Sequence, residues 1–334
     1  MSKDIGIDLG TATVLVYVKG RGIVIKEPSV VAVDKNTDMI CKVGREAREM
    51  IGRTSGNIVA IRPLRDGVIS QYEVTLKMIQ YFMRKACGPL LFKPRVVICV
   101  PSGIDEVAER AVIDAGIHAG ARRTYLIEEP VAAAIGAGIN ISGPNGHMVI
   151  DIGGGTTDIA VLSLGGVVVS ESIKVAGDKF DEAIVRYMRN AHRLLIGDPT
   201  AEYIKIKIGE AWPREQERIL QVTGRCLIEG LPRKVNISSR EITSAMEEPL
   251  MAIIDAIKSV IERTPPELID DIITNGIVMT GGGSMLCGID RLVSYYTGIR
   301  VRIPKNPMDC VALGTGRSLE NISRLPTSII GGKH

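Results

Sequence analysis

The sequence predicts an α/β fold of two similar halves that enclose a cleft, and three observations support this. Short apolar strand patterns alternate with amphipathic helix patterns along the chain. The stretches "IGIDLGTATVLVYVKGRG" and "MVIDIGGGTTDIAVLSLGG" repeat one pattern, in which Asp8 aligns with Asp151. The 334 residues also exceed what one simple core usually needs. Two such halves facing each other would leave a crevice between them, where ligands commonly bind.

The first half is predicted to begin with strands and to continue with helices. Residues 4–34 alternate apolar and polar residues, which indicates three antiparallel strands joined by hairpins, the first turn lying near residues 19–22. Residues 71–86 have helical spacing, with one face formed by Val74, Met78, Tyr81 and Phe82. Next come a buried strand, "RVVICVP", a helix behind Ser102, a second strand, "TYLIEEP", and a small-residue helix, "VAAAIGAGI".

The second half opens with the repeated motif, which predicts another set of β-hairpins from residue 148. The strand "GIVMTGGG" follows near its end. Four further segments have helical patterns, with that strand lying between the last two of them: residues 177–196, 200–210, 239–263 and 284–298.

Composition excludes several classes of protein. A net charge of +3 and an aromatic content of 4% give no general case for nucleic-acid binding. The six cysteines lack metal-ligand spacing and are expected to be reduced core thiols of a cytosolic protein. The N-terminus lacks the pattern of a signal peptide. No apolar run approaches the ~20 residues of a membrane span.

The paired glycine-rich turns predict a site for a magnesium nucleotide. Glycines let backbone N–H groups approach phosphate oxygens, and the hydroxyls of Thr11, Thr156 and Thr157 can add hydrogen bonds. Asp8 and Asp151 can hold a hydrated Mg²⁺ that bridges carboxylates to phosphates. A single such motif could be only a tight hairpin turn, but two matched copies favour the ligand site. No Walker A pattern occurs.

A third glycine run follows a predicted buried strand. Gly281, Gly282 and Gly283 could bring the backbone flush against an adenine ring and its ribose. A tight strand-to-helix turn explains the same glycines equally well.

These motifs together resemble a known superfamily. "IDLGT", "DIGGGTTD" and "TGGGS", in this order, are similar to the two phosphate motifs and the adenosine motif of actins, Hsp70 chaperones and sugar kinases. Three longer segments resemble sequences of the MreB family of bacterial actins: "EPSVVAVD", "GNIVAIRPLRDGVI" and "NPMDCVALGTGRSLENI". This resemblance covers nearly the whole chain. The sequence differs from the usual family sequence at three places. Thr13 stands where the family usually has Asn, and "GGGSMLCG" replaces the commoner "GGGALLNG". The segment "AWPREQERI" also differs from the usual family sequence.

The resemblance implies an actin-like fold, in which two RNase H-like domains surround a nucleotide cleft and each carries a small insert. It assigns subdomain IA to residues 1–32, 66–145 and 315–334, and subdomain IB to 33–65. Subdomain IIA takes residues 146–181 and 246–314, and subdomain IIB takes 182–245.

The resemblance also implies roles for individual residues. Glu129 is expected to orient the attacking water with help from Thr156, while Glu128 points away from the cleft. Glu202 and Lys205 lie one helical turn apart and are expected to contact the ribose and base. Without the resemblance, this pair would be interpreted as an ion pair on the solvent-exposed surface. The remaining expected nucleotide contacts are Gly10, Thr11, Ala12, Thr13, Gly153, Gly154, Gly155, Thr157, Gly281, Gly282, Gly283, Ser284 and Met285.

An apolar loop is the expected membrane contact. Leu90, Leu91 and Phe92 are flanked by basic residues, an arrangement suited to an anionic bilayer surface. They could instead fold back into the core. The resemblance favours the membrane, because MreB proteins carry a membrane-inserting loop here.

The function implied by the resemblance is that of a slow, ATP-hydrolysing filament protein at the inner face of the cell membrane. It would bind ATP or ADP with Mg²⁺, form protofilaments paired antiparallel, and direct lateral wall synthesis to maintain rod shape. Its implied partners are itself, the bilayer, RodZ and the MreC–MreD–RodA elongation machinery, without nucleic acid. The alternatives are a non-polymerising ATPase of the sugar-kinase type, a nucleotide-gated adaptor, and a chaperone, which would need a further domain after residue 334.

Overall fold

The computed structural model describes residues 4–53, 56–88, 93–319 and 329–331. The strands of its first half are β1 (Ile5–Leu9), β2 (Thr13–Val18), β3 (Gly22–Pro28), β4 (Val31–Asp34), β5 (Met39–Val43), β6 (Ile58–Ile61), β7 (Leu64–Arg65), β8 (Val68–Ile69), β9 (Arg95–Val100) and β10 (Arg123–Glu128). Those of the second half are β11 (His147–Ile152), β12 (Thr157–Ser163), β13 (Gly166–Ile173), β14 (Leu194–Leu195), β15 (Ile219–Cys226), β16 (Pro232–Ser238), β17 (Ile277–Thr280), β18 (Val301–Arg302) and β19 (Ile329–Gly331).

Helices cover the faces of the sheets. They are α1 (Arg45–Arg48), α2 (Tyr72–Cys87), α3 (Glu106–His118), α4 (Glu129–Gly136), α5 (Gly177–Ala191), α6 (Asp198–Ile208), α7 (Ser239–Ala245), α8 (Glu247–Arg263), α9 (Pro266–Asn275), α10 (Ile289–Thr297) and α11 (Cys310–Ser318). Two single turns of 3-10 helix, Gly283–Met285 and Pro307–Asp309, precede α10 and α11. No helix within the described residues is long and apolar enough to cross a membrane.

Two large sheets repeat one topology, as the internal repeat predicts. The first has the order β19-β10-β9-β1-β2-β3, and the second has the order β13-β12-β11-β17-β18. In each, an antiparallel meander of three strands begins with a strand that also pairs in parallel with a later one, β1 with β9 and β11 with β17. The turn after the first strand therefore occupies the same position in both halves.

Helices α4 and α11 join the halves by a very close crossing. A Cβ atom added to Gly136 would lie 1.8 Å from the Cys310 carbonyl oxygen, and one added to Gly314 would lie 1.7 Å from that of Ala132. Only glycine fits at these two positions, because the backbones are already in contact. The two helices therefore pack backbone against backbone where they cross.

Two three-stranded sheets lie outside the large ones, besides the two-stranded sheet β7-β8. Their orders are β5-β4-β6 and β14-β15-β16, and they fall largely in the segments that the resemblance assigns to subdomains IB and IIB. The subdomain bounds given above remain a proposal.

Several local predictions were wrong. The turn near residues 19–22 is the second hairpin turn rather than the first, because the glycine turn of the repeat, at residues 10–12, already joins β1 to β2. Tyr81 is 39% exposed and does not share the buried face of α2. Residues 239–263 form two helices that meet at Met246, and helix α9 and the β15–β16 hairpin were not predicted.

Candidate functional site

The two repeated hairpin turns meet each other across the cleft. The first turn joins β1 to β2, and the second joins β11 to β12. A Cβ atom added to Gly154 would lie 2.6 Å from the Cβ of Ala12, and one added to Gly155 would lie 2.7 Å from Thr11 Oγ1. Glycine is therefore required because the opposite turn fills the space that a side chain would need.

A cavity of about 460 Å³ opens beside these turns. Ligand sites commonly lie in such clefts between two sheets. Most residues predicted for the site line it: Asp8, Gly10, Thr11, Ala12, Thr13, Glu129, Asp151, Gly153, Gly154, Gly155, Thr156, Glu202, Lys205, Gly281, Gly282, Gly283 and Met285.

Three carboxyl groups, those of Asp8, Glu129 and Asp151, line the floor of the cavity, and a fourth, that of Asp158, is buried beside Glu129. Asp8 and Asp151 occupy matching positions on β1 and β11; Asp8 accepts a hydrogen bond from Cys99 Sγ (3.3 Å), and Asp151 accepts one from Thr280 Oγ1 (2.5 Å). Glu129, the first residue of α4, is 9% exposed. Asp158 is fully buried, and its Oδ1 accepts a hydrogen bond from the backbone N–H of Ser102 (3.0 Å).

The pKa values of these four acids are all raised above their usual values. Burial is the largest cause, and it raises the pKa of both Asp8 and Asp151 to about 7 and that of Asp158 to about 6. Burial and the neighbouring carboxylate of Asp158 raise the pKa of Glu129 well above its usual value. The cavity floor therefore concentrates negative charge as the pH rises through neutrality, and a cation there would relieve the repulsion.

The acids fit a hydrated cation better than a directly bound one. Among the described residues, no three His, Cys, Asp or Glu side chains are arranged to hold a metal ion. Mg²⁺ usually keeps several of its waters and needs only one or two carboxylates besides phosphate oxygens. Asp8 and Asp151 both line the cavity, and they are the two carboxylates that would meet that need through water.

Helix α6 supplies the side wall of the cavity. Lys205 Nζ donates hydrogen bonds to the Gly177 carbonyl oxygen (2.8 Å) and to Asp181 (2.9 Å). Glu202 forms an ion pair with Arg48, which belongs to α1 in the other half. Both predicted residues thus line the cavity, but each is already bound to a protein partner.

A second cross-cleft ion pair was not predicted. Arg62 Nη1 lies 2.9 Å from Asp178 Oδ1, and both residues line the cavity. Sequence alone offered no signal for it, because the two residues belong to different halves of the chain.

The third glycine run makes the tight strand-to-helix turn that was one of its two interpretations. Gly281 has a φ of +82°, and a Cβ atom there would lie 2.3 Å from the Ile152 carbonyl oxygen. A Cβ atom on Gly283 would lie 2.2 Å from Ile152 Cγ2. These glycines let the loop pack against the end of β11, and the loop still lines the cavity.

Two predicted contacts do not line the cavity. Thr157 is fully buried and donates from Oγ1 to the Val175 carbonyl oxygen (2.6 Å), because alternation along β12 turns it away from the side of Thr156. Ser284 donates to the Gly281 carbonyl oxygen (2.7 Å) and closes the 3-10 turn. The predicted membrane residues Leu90, Leu91 and Phe92 lie outside the described residues.

Comparisons with known proteins agree with this architecture. The family model described as MreB/Mbl protein matches residues 2–327. The cell shape-determining protein Mbl of Bacillus cereus is 53% identical over 326 residues, which are 97% of this chain and 98% of that protein. Two solved structures of MreB5 of Spiroplasma citri, bound to ADP and to AMPPNP, match with TM-scores of 0.93 and 0.92 at 38% and 39% identity, each covering 97% of this chain and 98% of theirs. The fold is thus actin-like, and the chain belongs to the MreB/Mbl family of cell shape-determining proteins.

Proposed function

We propose that this chain is an ATP-binding and ATP-hydrolysing bacterial actin that forms membrane-associated filaments and directs lateral cell-wall synthesis. The observation that carries the proposal is the cavity between two matched glycine turns above a floor of carboxyl groups. ADP and AMPPNP are bound by the similar MreB5 structures, which supports a nucleotide in the same cleft.

The glycine turns and the acidic residues would contact different parts of a bound nucleotide. The turns at residues 10–13 and 153–156 line the cavity, and their backbone amides would suit phosphate oxygens, because consecutive turn amides form anion-binding nests. Asp8 and Asp151 would hold Mg²⁺ through water, and the ion would neutralise phosphate charge. Lys205 adds a positive charge beside Gly177, next to the second turn.

Glu129 is the residue that suits water activation. Its carboxyl group lines the cavity with the acids of the floor, and Thr156 lines the same region. Burial, and then the neighbouring Asp158, raise the pKa of Glu129 well above its usual value, so this carboxyl group holds a proton more readily than an exposed one. No lysine of the P-loop type occurs, so hydrolysis would be slow and suit a switch.

The proposed function also includes assembly into filaments and attachment to the membrane. Filaments would form by association of identical copies, paired antiparallel, at the inner face of the membrane. Each copy would contribute the loop containing Leu90, Leu91 and Phe92, so that many weak contacts add to a strong one. RodZ and the MreC–MreD–RodA machinery are the proposed partners in wall synthesis.

Sedimentation with anionic liposomes tests this function. With ATP and Mg²⁺ the protein should pellet as filaments, and it should pellet with phosphatidylglycerol vesicles, less so at high salt because surface charges are screened over ~8–10 Å. Release of phosphate without any ATP-dependent pelleting or vesicle binding would instead support the alternative of a non-polymerising ATPase.

A triple variant separates the membrane contact from the core. Replacing Leu90, Leu91 and Phe92 by serine should abolish vesicle binding while the melting temperature stays close to that of the wild type, since exposed substitutions each change stability by only ~0.5 kcal/mol. Early melting would identify them as core residues, at ~2–5 kcal/mol for each large-to-small change. A stable variant that still binds vesicles would remove this loop from the membrane site.

A further inference from the structure

A second cavity, of about 360 Å³, opens at the end of the second large sheet that lies opposite the glycine turn. Its lining includes His147, the first residue of β11, whereas the glycine turn follows Ile152, the last residue of that strand. Within the described ranges, the two cavities share no lining residue. A ligand in the second cavity would therefore be separate from the nucleotide.

The register of the sheet brings the side chains of His147 and Arg302 to one face. Val149 of β11 pairs with Val278 of β17, and Val278 pairs with Arg302 of β18, so these three side chains lie side by side. His147 lies two residues before Val149 and therefore projects from the same face. Arg302, His147 and the buried Val278 all line the cavity.

The charges around the second cavity favour an anion. Arg302 forms no hydrogen bond or ion pair with any residue in the described part of the chain, and none of the described lining residues is an Asp or a Glu. Burial lowers the pKa of His147, whereas the nearby carboxylate of Asp271 acts in the opposite direction. An anion beside the imidazole would further favour its cationic form. A guanidinium group binds a phosphate through two parallel hydrogen bonds.

Asparagine amides form much of the remaining wall. Asn140 and Asn145 belong to the segment that joins α4 to β11, and Asn275 is the last residue of α9. This wall is held in place, because Asn275 Nδ2 donates to the Gly146 carbonyl oxygen (3.2 Å) and the Gly146 N–H donates to Asp271 Oδ2 (2.7 Å). An amide side chain offers both donors and an acceptor, which suits hydroxyl groups. A wall that is fixed in advance loses little freedom on binding.

We infer that the second cavity binds a small phosphorylated polyol, with its phosphate group on Arg302 and its hydroxyl groups on the asparagine amides. The volume of about 360 Å³ is more than a bare phosphate fills and suits a molecule of the size of a sugar phosphate. The arginine accounts for the phosphate, and the amides account for the hydroxyl groups. The inference goes beyond the proposed function, because the nucleotide would occupy the other cavity.

Equilibrium titration with glucose 6-phosphate and with glycerol 3-phosphate tests this, beside glucose, glycerol and inorganic phosphate. Saturating ADP and Mg²⁺ keep the first cavity filled. At least one ester should bind saturably, and about tenfold or more tightly than inorganic phosphate or its own polyol. Arg302→Gln should weaken that ester by about tenfold or more, because glutamine lacks the positive charge and the paired donors. Asn145→Ala should weaken the ester but not inorganic phosphate.

The matched control is Arg300→Gln, which changes an exposed arginine two residues away that lines neither cavity. It should bind the ester as the wild type does. Failure of both esters to bind overturns the inference, and so does binding that Arg302→Gln leaves unchanged. Equal affinity for inorganic phosphate and for the ester reduces the site to an anion contact and also overturns it. The comparison of ligands on the wild type needs no variant, so the test survives a variant that does not fold. A chain that binds no ADP would contradict the proposed function alone, because the variants still locate the ester.

Discussion

Replacing Glu129 by glutamine should lower the rate of phosphate release by about 100-fold or more while ATP affinity stays near that of the wild type. The magnitude is that of a positioned acid–base group. Glutamine keeps the size of the side chain but cannot accept a proton, and Glu129 is expected to orient water rather than to touch phosphate. Phosphate release and an equilibrium ATP titration on the same preparation measure the two effects.

Glu128→Gln is the matched control, because it is the adjacent residue and carries the same group. Glu128 does not line the cavity, and its Oε2 accepts a hydrogen bond from Ser102 Oγ (2.6 Å). Its substitution should change turnover much less. If ATP affinity falls together with turnover in Glu129→Gln, or if the two variants behave alike, Glu129 has a structural role and its assignment is wrong.

Asp151→Asn should weaken ATP binding in the presence of Mg²⁺ and nearly abolish phosphate release. Asparagine can keep the hydrogen bond from Thr280 through its amide oxygen, so the loss would come from charge rather than from packing. Without Asp151, the hydrated ion has one fewer carboxylate to hold it. The exposed Asp255, on α8, supplies the control variant Asp255→Asn. Unchanged phosphate release in Asp151→Asn would remove the role proposed for the paired aspartates.

The Asp151→Asn substitution should make the nucleotide-free protein more stable than the wild type at high pH. The pKa of Asp151 is 3.8 when unperturbed and about 7 in the folded protein. The folded state thus keeps this proton up to about pH 7. The stabilisation that the protonated carboxyl group gives to the folded state is complete below pH ~4 and is lost as the pH rises through 7. Asparagine cannot ionise, so melting curves at pH 8 should favour the variant, whereas those at pH 4 should not. This readout does not depend on activity.

The local parts of the site were predictable from sequence. A hairpin turn and the strands beside it depend on neighbouring residues, so the repeat located both turns and the matching pair Asp8 and Asp151. The face occupied by Thr157 was also open to prediction, because strand alternation separates it from Thr156. The capping box of Ser238 and Glu241 is a further local signal, and it marks the start of α7 that the continuous helical pattern obscured.

Contacts between distant segments could not be predicted in this way. The ion pairs Arg48–Glu202 and Arg62–Asp178 each join the two halves across the cleft. The contact of Arg214 with Cys287 depends on how the loop after α6 packs on the loop before α10. No periodicity or spacing reports such pairs, since they arise only when the whole fold is assembled.

The central claim is that the cleft between the two turns holds a magnesium nucleotide. Equilibrium titration with ATP in the presence of Mg²⁺, on the Gly155→Ala variant and on the wild type, tests this claim most directly. The new methyl group would lie 2.7 Å from Thr11 Oγ1, whereas the same change at Gly143 meets nothing within 4 Å and serves as the control. The account predicts saturable binding by the wild type and by Gly143→Ala, and affinity weaker by about tenfold or more for Gly155→Ala. Wild-type affinity in Gly155→Ala, or no ATP binding by the wild type, would contradict it.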